Sequence, residues 1–241
     1  ETDVLIIGGG AAGAVAAIKA RNYDVRVTVT DKGVLGRSGT TCTTGGNAHV
    51  YLPPKYGSHP DDTPEVYMHD MVKGGEYLSD QDMALIVAAE AGDRVIELDE
   101  IGVPHKKLPD GRFKFLRTLA ESYPRAGDVK GLGATLMGVL RREIFHRGCS
   151  VFQDTMVTKL LTRAGRVVGA FGYNWKTGRG TVFAARRTVL ATGSATGLYL
   201  SHSASYVTTG DGYALGYGAG CQFKNMEFQE VTLSPAPHGY A

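Results

Sequence analysis

Three glycines at positions 8, 10 and 13, set between an apolar run and a helix-forming run, constrain this chain more than any other feature. Val4-Leu5-Ile6-Ile7 reads as a short strand buried on both faces. Ala14-Val15-Ala16-Ala17-Ile18-Lys19-Ala20 reads as a helix by propensity. Val25-Arg26-Val27-Thr28-Val29-Thr30 is β-branched and alternating, which makes a second strand, and Asp31 ends it. Together these form a βαβ unit of about thirty residues. Gly8 permits the tight strand-to-helix turn, Gly10 lets backbone approach a pyrophosphate, and Gly13 lets the helix sit against the strand. The helix N-terminus offers N–H groups and partial positive charge to phosphates, and an acid closing the second strand can accept hydrogen bonds from ribose hydroxyls. Because all these parts fall in register, a dinucleotide site outweighs a glycine-rich structural turn. The fingerprint alone leaves FAD and NAD both open.

Two later stretches favour FAD. The first is the loop from Gly36-Arg37-Ser38-Gly39-Thr40-Thr41-Cys42 to Thr43-Thr44-Gly45-Gly46-Asn47-Ala48, directly after the βαβ unit. Its small side chains and exposed N–H groups suit a flat ring and a pyrophosphate. The second is Val189-Leu190-Ala191-Thr192-Gly193, a strand running into Ala-Thr-Gly, followed by Thr209-Gly210-Asp211-Gly212.

Elsewhere, residues 33–57 read as loop. Ser79-Asp80-Gln81-Asp82 opens a helix with a capping-box pattern, Ser79 being the cap and Met83, Ile86 and Val87 its apolar face. A second helix spans about 132–147, with Leu136, Val139, Leu140 and Ile144 at helical spacing and Gly148 past its end. Three strand-like runs at 155–161, 167–173 and 181–185, joined through Ala164-Gly165 and Thr177-Gly178, make an antiparallel meander. Thr188-Val189-Leu190-Ala191 follows as a further buried strand. The fold class is α/β: a Rossmann-like domain with a parallel sheet and an antiparallel β-meander.

Composition narrows the function classes. Glycine numbers 33 of 241 residues, about twice ordinary usage, without the three-residue period of collagen. Lys+Arg 26 against Asp+Glu 24 leaves no basic footprint for nucleic acid. No apolar run approaches the ~20 residues of a membrane helix, and residues 4–7 are too few for a signal core. Cys42, Cys149 and Cys221 are widely spaced, which argues against a metal or iron–sulfur site in this chain and suits reduced thiols in the cytoplasm. The seven histidines show no metal-ligand spacing, and no Gly-x-Ser-x-Gly elbow is present.

The glycine fingerprint, Ser38-Gly39-Thr40 leading to Gly45-Gly46, the meander ending in Ala191-Thr192-Gly193, and Thr209-Gly210-Asp211-Gly212-Tyr213-Ala214-Leu215 together resemble a known superfamily. It comprises the flavoprotein subunits of succinate dehydrogenase and fumarate reductase, L-aspartate oxidase and the adenylylsulfate reductase flavoprotein. Ile101-Gly102-Val103-Pro104, Gly216-x-Gly218-Ala219-Gly220 and Met226-Glu227-Phe228 match as well. The resemblance implies that Gly8, Gly10, Ala12 and Gly13 hold the FAD pyrophosphate, Asp31 the ribose, and Lys32 the neighbouring backbone or adenosine. Ser38, Gly39, Thr40, Thr44, Gly45 and Gly46 would line the pyrophosphate, ribityl chain and flavin. Val157 would meet adenine through its backbone, Ala191, Thr192 and Gly193 would flank the adenosine, and Asp211 would bind on the ribityl side. Arg125 and Asp128 sit where the family approaches the flavin, with a surface-loop reading equally open. Cys42, inside the flavin loop, reads as a small packed residue.

Two departures from the family pattern carry weight. Membrane succinate dehydrogenases join FAD covalently to a histidine in an Arg-Ser-His-Thr stretch; here Arg37-Ser38-Gly39-Thr40 implies non-covalent FAD. Fumarate reductases place a histidine–proline pair after Met-Glu-Phe. Here Gln229-Glu230-Val231-Thr232-Leu233-Ser234-Pro235 follows, with Thr232 near the histidine's place, so succinate or fumarate itself is not implied. The family continues into a capping domain and a segment that returns to close the FAD site. The 241 residues therefore read as one cofactor-holding front part, with no catalytic residue assignable. The expected function is a FAD-dependent oxidoreductase that acts on a small carboxylated substrate and whose electron partner is an iron–sulfur subunit. The alternatives are an adenylylsulfate-reductase-like or amino-acid-oxidising flavoenzyme, and a non-catalytic flavin-carrying electron-transfer or scaffold protein of a larger complex.

Overall fold

The computed structural model describes residues 1–44, 47–118 and 120–228. In chain order the elements are β1 (Thr2–Ile7), α1 (Ala11–Ala20), β2 (Val27–Thr30), β3 (Asn47–His49), α2 (Pro64–Gly74), α3 (Gln81–Glu100), β4 (Phe115–Leu116), β5 (Ala126–Asp128), α4 (Leu132–His146), β6 (Ser150–Phe152), β7 (Thr155–Arg163), β8 (Arg166–Asn174), β9 (Gly180–Leu190) and α5 (Asp211–Gly218). Two compact units result, one from Glu1–Thr40 with Ile144–Ala241, the other from Thr41–Glu143. No helix among the described residues is long and apolar enough to cross a membrane.

The first unit is built on a six-stranded sheet in the order β6-β2-β1-β9-β8-β7. β6, β2, β1 and β9 run parallel. The β9-β8-β7 half is antiparallel. β1 is central, so its apolar run is buried as expected: Leu5 and Ile6 are inaccessible. Leu5 shares a core on this sheet with Val157, Leu160, Ala170, Phe183 and Leu215. α1 buries Gly13, Ala14, Ala17 and Ile18. Small residues set its distance from β1: a Cβ at Gly13 would collide with the Gly8 carbonyl oxygen.

The meander's last run and the run expected as a further buried strand are one strand, and that second part is not buried: Thr188 and Val189 are half-buried and Leu190 is exposed. β9 is 11 residues long, pairing antiparallel with β8 through Gly180 to Ala184 and parallel with β1 from Ala185 to Leu190. The exposed Arg186-Arg187 pair breaks the apolar pattern but not the backbone ladder, because strand pairing uses main-chain groups whatever the side chains do.

The second unit has a small antiparallel sheet, β3-β5-β4. The loop expected over 33–57 therefore contains β3, and it also holds a 3-10 turn at Pro54–Tyr56. α2 starts at Thr63, whose hydroxyl accepts from Val66 N, with Pro64 at the first helical position. α3 is capped by Asp80, whose carboxylate accepts from Met83 N at 3.1 Å, and not by Ser79. Its buried stripe is Ala84, Ala88, Gly92 and Val95, whereas Met83, Ile86 and Val87 are exposed. At Gly92 the approach is close: a Cβ there would collide with the Tyr51 carbonyl oxygen, so that position admits no side chain. Val50, Leu52, Val95 and Phe113 form one apolar cluster of this unit, and Val103, Val129 and Val139 another.

Candidate functional site

Register decides where chemistry can happen in the first unit. Ile7 pairs with Thr30 on one side and Leu190 on the other, so β1, β2 and β9 end level. The ladder then runs one step further. Gly8 N donates to Thr30 O at 2.9 Å, Ala191 N to Ile7 O at 2.8 Å, and Asp31 N to Phe152 O at 2.9 Å. Gly8, Asp31 and Ala191 thus meet at the carboxyl edge of a parallel sheet, where open α/β folds hold their ligands.

This edge is lined by bare backbone. Gly8 has φ +104°, and a Cβ there would collide with the Ala191 carbonyl. A Cβ at Gly9 would strike the Leu35 side chain and come within 2.6 Å of Asp31 Oδ2. Gly10 is the N-cap of α1, whose first turn holds Ala12 and no acid. The first N–H groups of a helix have no carbonyl one turn below, so this end carries partial positive charge. Gly193, at φ +80°, gives Ala191-Thr192-Gly193 its bend, and Gly212 sits so close to Thr192 that a Cβ would collide with its hydroxyl. A cradle that admits backbone but no Cβ, at a positive helix end, fits the pyrophosphate of a dinucleotide.

The acids are tied into the cradle. Asp31 is buried, and its Oδ2 accepts from Gly9 N at 3.2 Å. Its Oδ1 accepts from Gly33 N at 2.8 Å and from Ser38 Oγ at 3.0 Å. One carboxylate therefore fixes both the glycine turn and the start of the small-residue loop, with a lone-pair position left for a further donor. Lys32 Nζ lies 2.6 Å from Oδ2 of Asp211, the first residue of α5. Gly39 has φ +80° with open space around it. Thr40 Oγ1 accepts from Ser205 N at 3.4 Å.

Not every expected residue joins this group. Val157 points its side chain into the sheet core, which leaves only its backbone for a ligand. Thr44 belongs to the second unit, where its carbonyl accepts from Gly133 N at 3.1 Å. Gly45, Gly46 and residues 229–235, Thr232 among them, lie outside the described residues. Sequence reasoning does not place Leu35 or Trp175 here. Trp175, the one tryptophan in the sequence, donates Nε1–H to Lys32 O at 2.8 Å from the β8–β9 turn. No local pattern announces that contact, because it joins residues 143 apart. A cleft of about 270 Å³, lined partly by Thr192, Gly193, Tyr213, Cys221 and Phe223, opens beside the same segment.

In the second unit the surface-loop alternative for Arg125 is overturned. Arg125 is inaccessible, with Nε and Nη2 on Asp62 at 2.9 and 2.6 Å and Nη1 on Asp70 at 2.7 Å. Its guanidinium stacks 4.7 Å from the Tyr67 ring centroid. Burial pushes the Asp70 carboxyl up, but the Ser122 amide and hydroxyl and the Arg125 guanidinium together hold it below its ordinary value. Burial likewise pushes the Tyr67 phenol up. This cluster fastens α2 to β5, and its charges are spent on one another. Asp128 is paired with Lys106 at 2.8 Å.

Comparison with known proteins agrees with this geometry. The chain is 31% identical to a fumarate reductase (CoM/CoB) subunit of Methanothermobacter marburgensis over 238 residues, covering 98% of this chain and 42% of that protein. It is also 31% identical to the fumarate reductase flavoprotein subunit of Mycobacterium tuberculosis, covering 98% of this chain and 40% of that protein. Among solved structures, Mycobacterium smegmatis Sdh1 in complex with UQ1 superposes with a TM-score of 0.85 at 31% identity, over 90% of this chain and 38% of that one. The chain thus spans about two fifths of these relatives. The family model described as "FAD binding domain" matches residues 3–238, and the chain belongs to that family, whose cofactor is FAD.

Proposed function

We propose that this chain is the cofactor-holding part of a FAD-dependent oxidoreductase of the fumarate reductase and succinate dehydrogenase kind, acting on a small carboxylated substrate. The observation that carries the reading is the level ending of β1, β2 and β9 in a cradle closed to any Cβ. Bound FAD supplies a carrier that exchanges a hydride at its N5 position. The chain's own residues supply the holding. Gly8, Gly10 and Gly13 let backbone reach the pyrophosphate, and Ala12 sits in the helix turn whose positive end faces it. Asp31 keeps one lone pair for a ribose hydroxyl, while Ala191, Thr192 and Gly193 flank the adenosine and the Val157 backbone meets adenine. Ser38, Gly39, Thr40, Thr44, Gly45 and Gly46 line the flavin side.

The same reading makes the FAD non-covalent, because Gly39 stands where a covalent family member has its histidine and offers no side chain to bond. The electron partner is an iron–sulfur subunit: the relatives are named as subunits, and Cys42, Cys149 and Cys221 lack the spacing of cluster ligands. Three widely spaced cysteines, without the pairing of a disulfide framework, favour the cytoplasm. The test is to purify the protein natively, record its flavin spectrum and precipitate it with acid. The expected result is yellow protein that releases all its flavin into the supernatant, and that dicarboxylates or an iron–sulfur partner bleach or recolour without air. Colourless protein, or flavin retained in the pellet, goes against the reading.

A further inference from the structure

Lys32 and Asp211 stand 179 residues apart in sequence, yet their charged ends are 2.6 Å apart, with side chains only 24% and 21% exposed. Thr209 closes the arrangement. Its Oγ1 accepts from Lys32 Nζ at 2.7 Å and donates to Asp211 Oδ1 at 2.8 Å, so its proton and a lone pair are both used. Lys32 is also held at its main chain by the Trp175 indole. The backbone after β2 and the first residue of α5 are thereby joined by a closed ring of charge-assisted hydrogen bonds. Asp211 follows Gly210, which caps α5 in the left-handed region at φ +74°.

A lysine and an aspartate at a dinucleotide edge are each easily read as a separate ligand contact. Their geometry says otherwise, since each spends its charge on the other. A pyrophosphate brings two negative charges, and an unpaired carboxylate beside it would be repelled. Lys32 neutralises that carboxylate and at the same time pins the N-terminus of α5 to the end of β2. We propose that Lys32 and Asp211, with Thr209, form one positioning pair that pre-organises the α5 side of the FAD cradle, rather than two independent cofactor contacts. This rests on the FAD-holding role above for its place in the fold.

A double-mutant cycle tests it on the deflavinated protein. Lys32→Met, Asp211→Asn and the double variant are compared with the parent for FAD dissociation constant, by quenching of flavin fluorescence, and for melting temperature without FAD. The expected result is that each single change weakens FAD binding about tenfold and the double change is no worse than about threefold beyond either. The flavin-free melting temperature should fall by the same amount in all three. Effects that multiply in the double variant, or a flavin-free melting temperature that neither single change moves, overturn the pair. Should Lys32→Met fail to fold, Lys32→Arg carries the test: affinity within about threefold of the parent supports a charge strut, and a tenfold loss overturns it. The melting arm is read without flavin, so it judges the pair even apart from the cofactor. A parent that takes up no FAD defeats the functional reading and the positioning role with it.

Discussion

Gly13 faces the Gly8 carbonyl rather than a side chain, so no neighbour can rotate away from an added methyl group. Gly13→Ala is expected to destabilise the first unit by about 2–3 kcal/mol and to abolish flavin retention on purification, read by thermal melting and the flavin absorbance. Gly39→Ala is the contrasting case: its surroundings are open, and only its φ of +80° opposes a side chain, so about 1 kcal/mol is expected. Arg125 is the most exacting residue of the second unit. Arg125→Met leaves Asp62 and Asp70 buried without their partner, a loss of about 3–5 kcal/mol. The triple change Arg125→Met, Asp62→Asn, Asp70→Asn should recover much of it in urea unfolding. Thiol labelling gives a further check. Cys221 is exposed, while burial pushes the Cys149 thiol up, so iodoacetamide at about pH 8 should modify Cys221 well before Cys149 in the folded protein. At this scale sequence reading succeeds where the residue acts through its backbone. Gly8 and Gly13 declare themselves by spacing, because only glycine tolerates what the turn demands. Arg125 and Trp175 escape it, because their partners lie 55 to 143 residues away and leave no periodic trace.

Elements are legible when their own length and punctuation decide them. β1, α1 and β2 follow from an apolar run, glycines and a β-branched run, and the meander from its turns at Gly165 and Gly178, both at positive φ. Faces are less legible than elements. α3 has Met, Ile and Val at helical spacing, yet the face it buries carries Ala84, Ala88, Gly92 and Val95, and at Gly92 the Tyr51 carbonyl comes too close for any side chain. A hydrophobic pattern reports which residues prefer burial, not how near a neighbouring backbone lies. α2 carries a readable signal in Thr63-Pro64-Glu65, a cap followed by a first-turn proline and acid. The cap of α3 gives a direct test: Asp80→Ala should lower stability by about 1 kcal/mol in thermal melts, while Ser79→Ala stays within about 0.5 kcal/mol of the parent.

At the scale of the whole molecule, acid should act on the second unit in two windows. Burial pushes the His105 imidazole down, and this outweighs its hydrogen bond to Asp99 at 3.2 Å. In the unfolded chain His105 protonates near pH ~6.5, before the folded protein does, so stability is full above that value and declines as pH falls below it. Asp70 is held low in the folded state, so its share persists down to about pH 4 and is lost below, where the unfolded carboxyl protonates first. Urea midpoints from about pH 8 to about pH 3 should show both declines, and His105→Gln should remove the upper one only. Fold class is legible in the sequence because one thirty-residue unit does most to determine it, and the cofactor because the later stretches at Ser38-Gly39-Thr40 and Ala191-Thr192-Gly193 add what that unit leaves open, whereas the division into two units is not, since no linker or shift in composition marks residues 40 or 143.

β1 owes its two neighbours to segments far apart in the chain: Val4 pairs with Val27 on one side and with Arg187 on the other. On a ribosome adding roughly 5–20 residues per second, the second neighbour emerges some ~8–32 s after the first, with the entire second unit translated in between. Throughout that interval one edge of β1 offers unpaired main-chain groups, so the glycine cradle at the end of β1 cannot close until Ala191 has left the exit tunnel. The order of synthesis, not cofactor supply, therefore sets the earliest moment at which this domain can hold FAD.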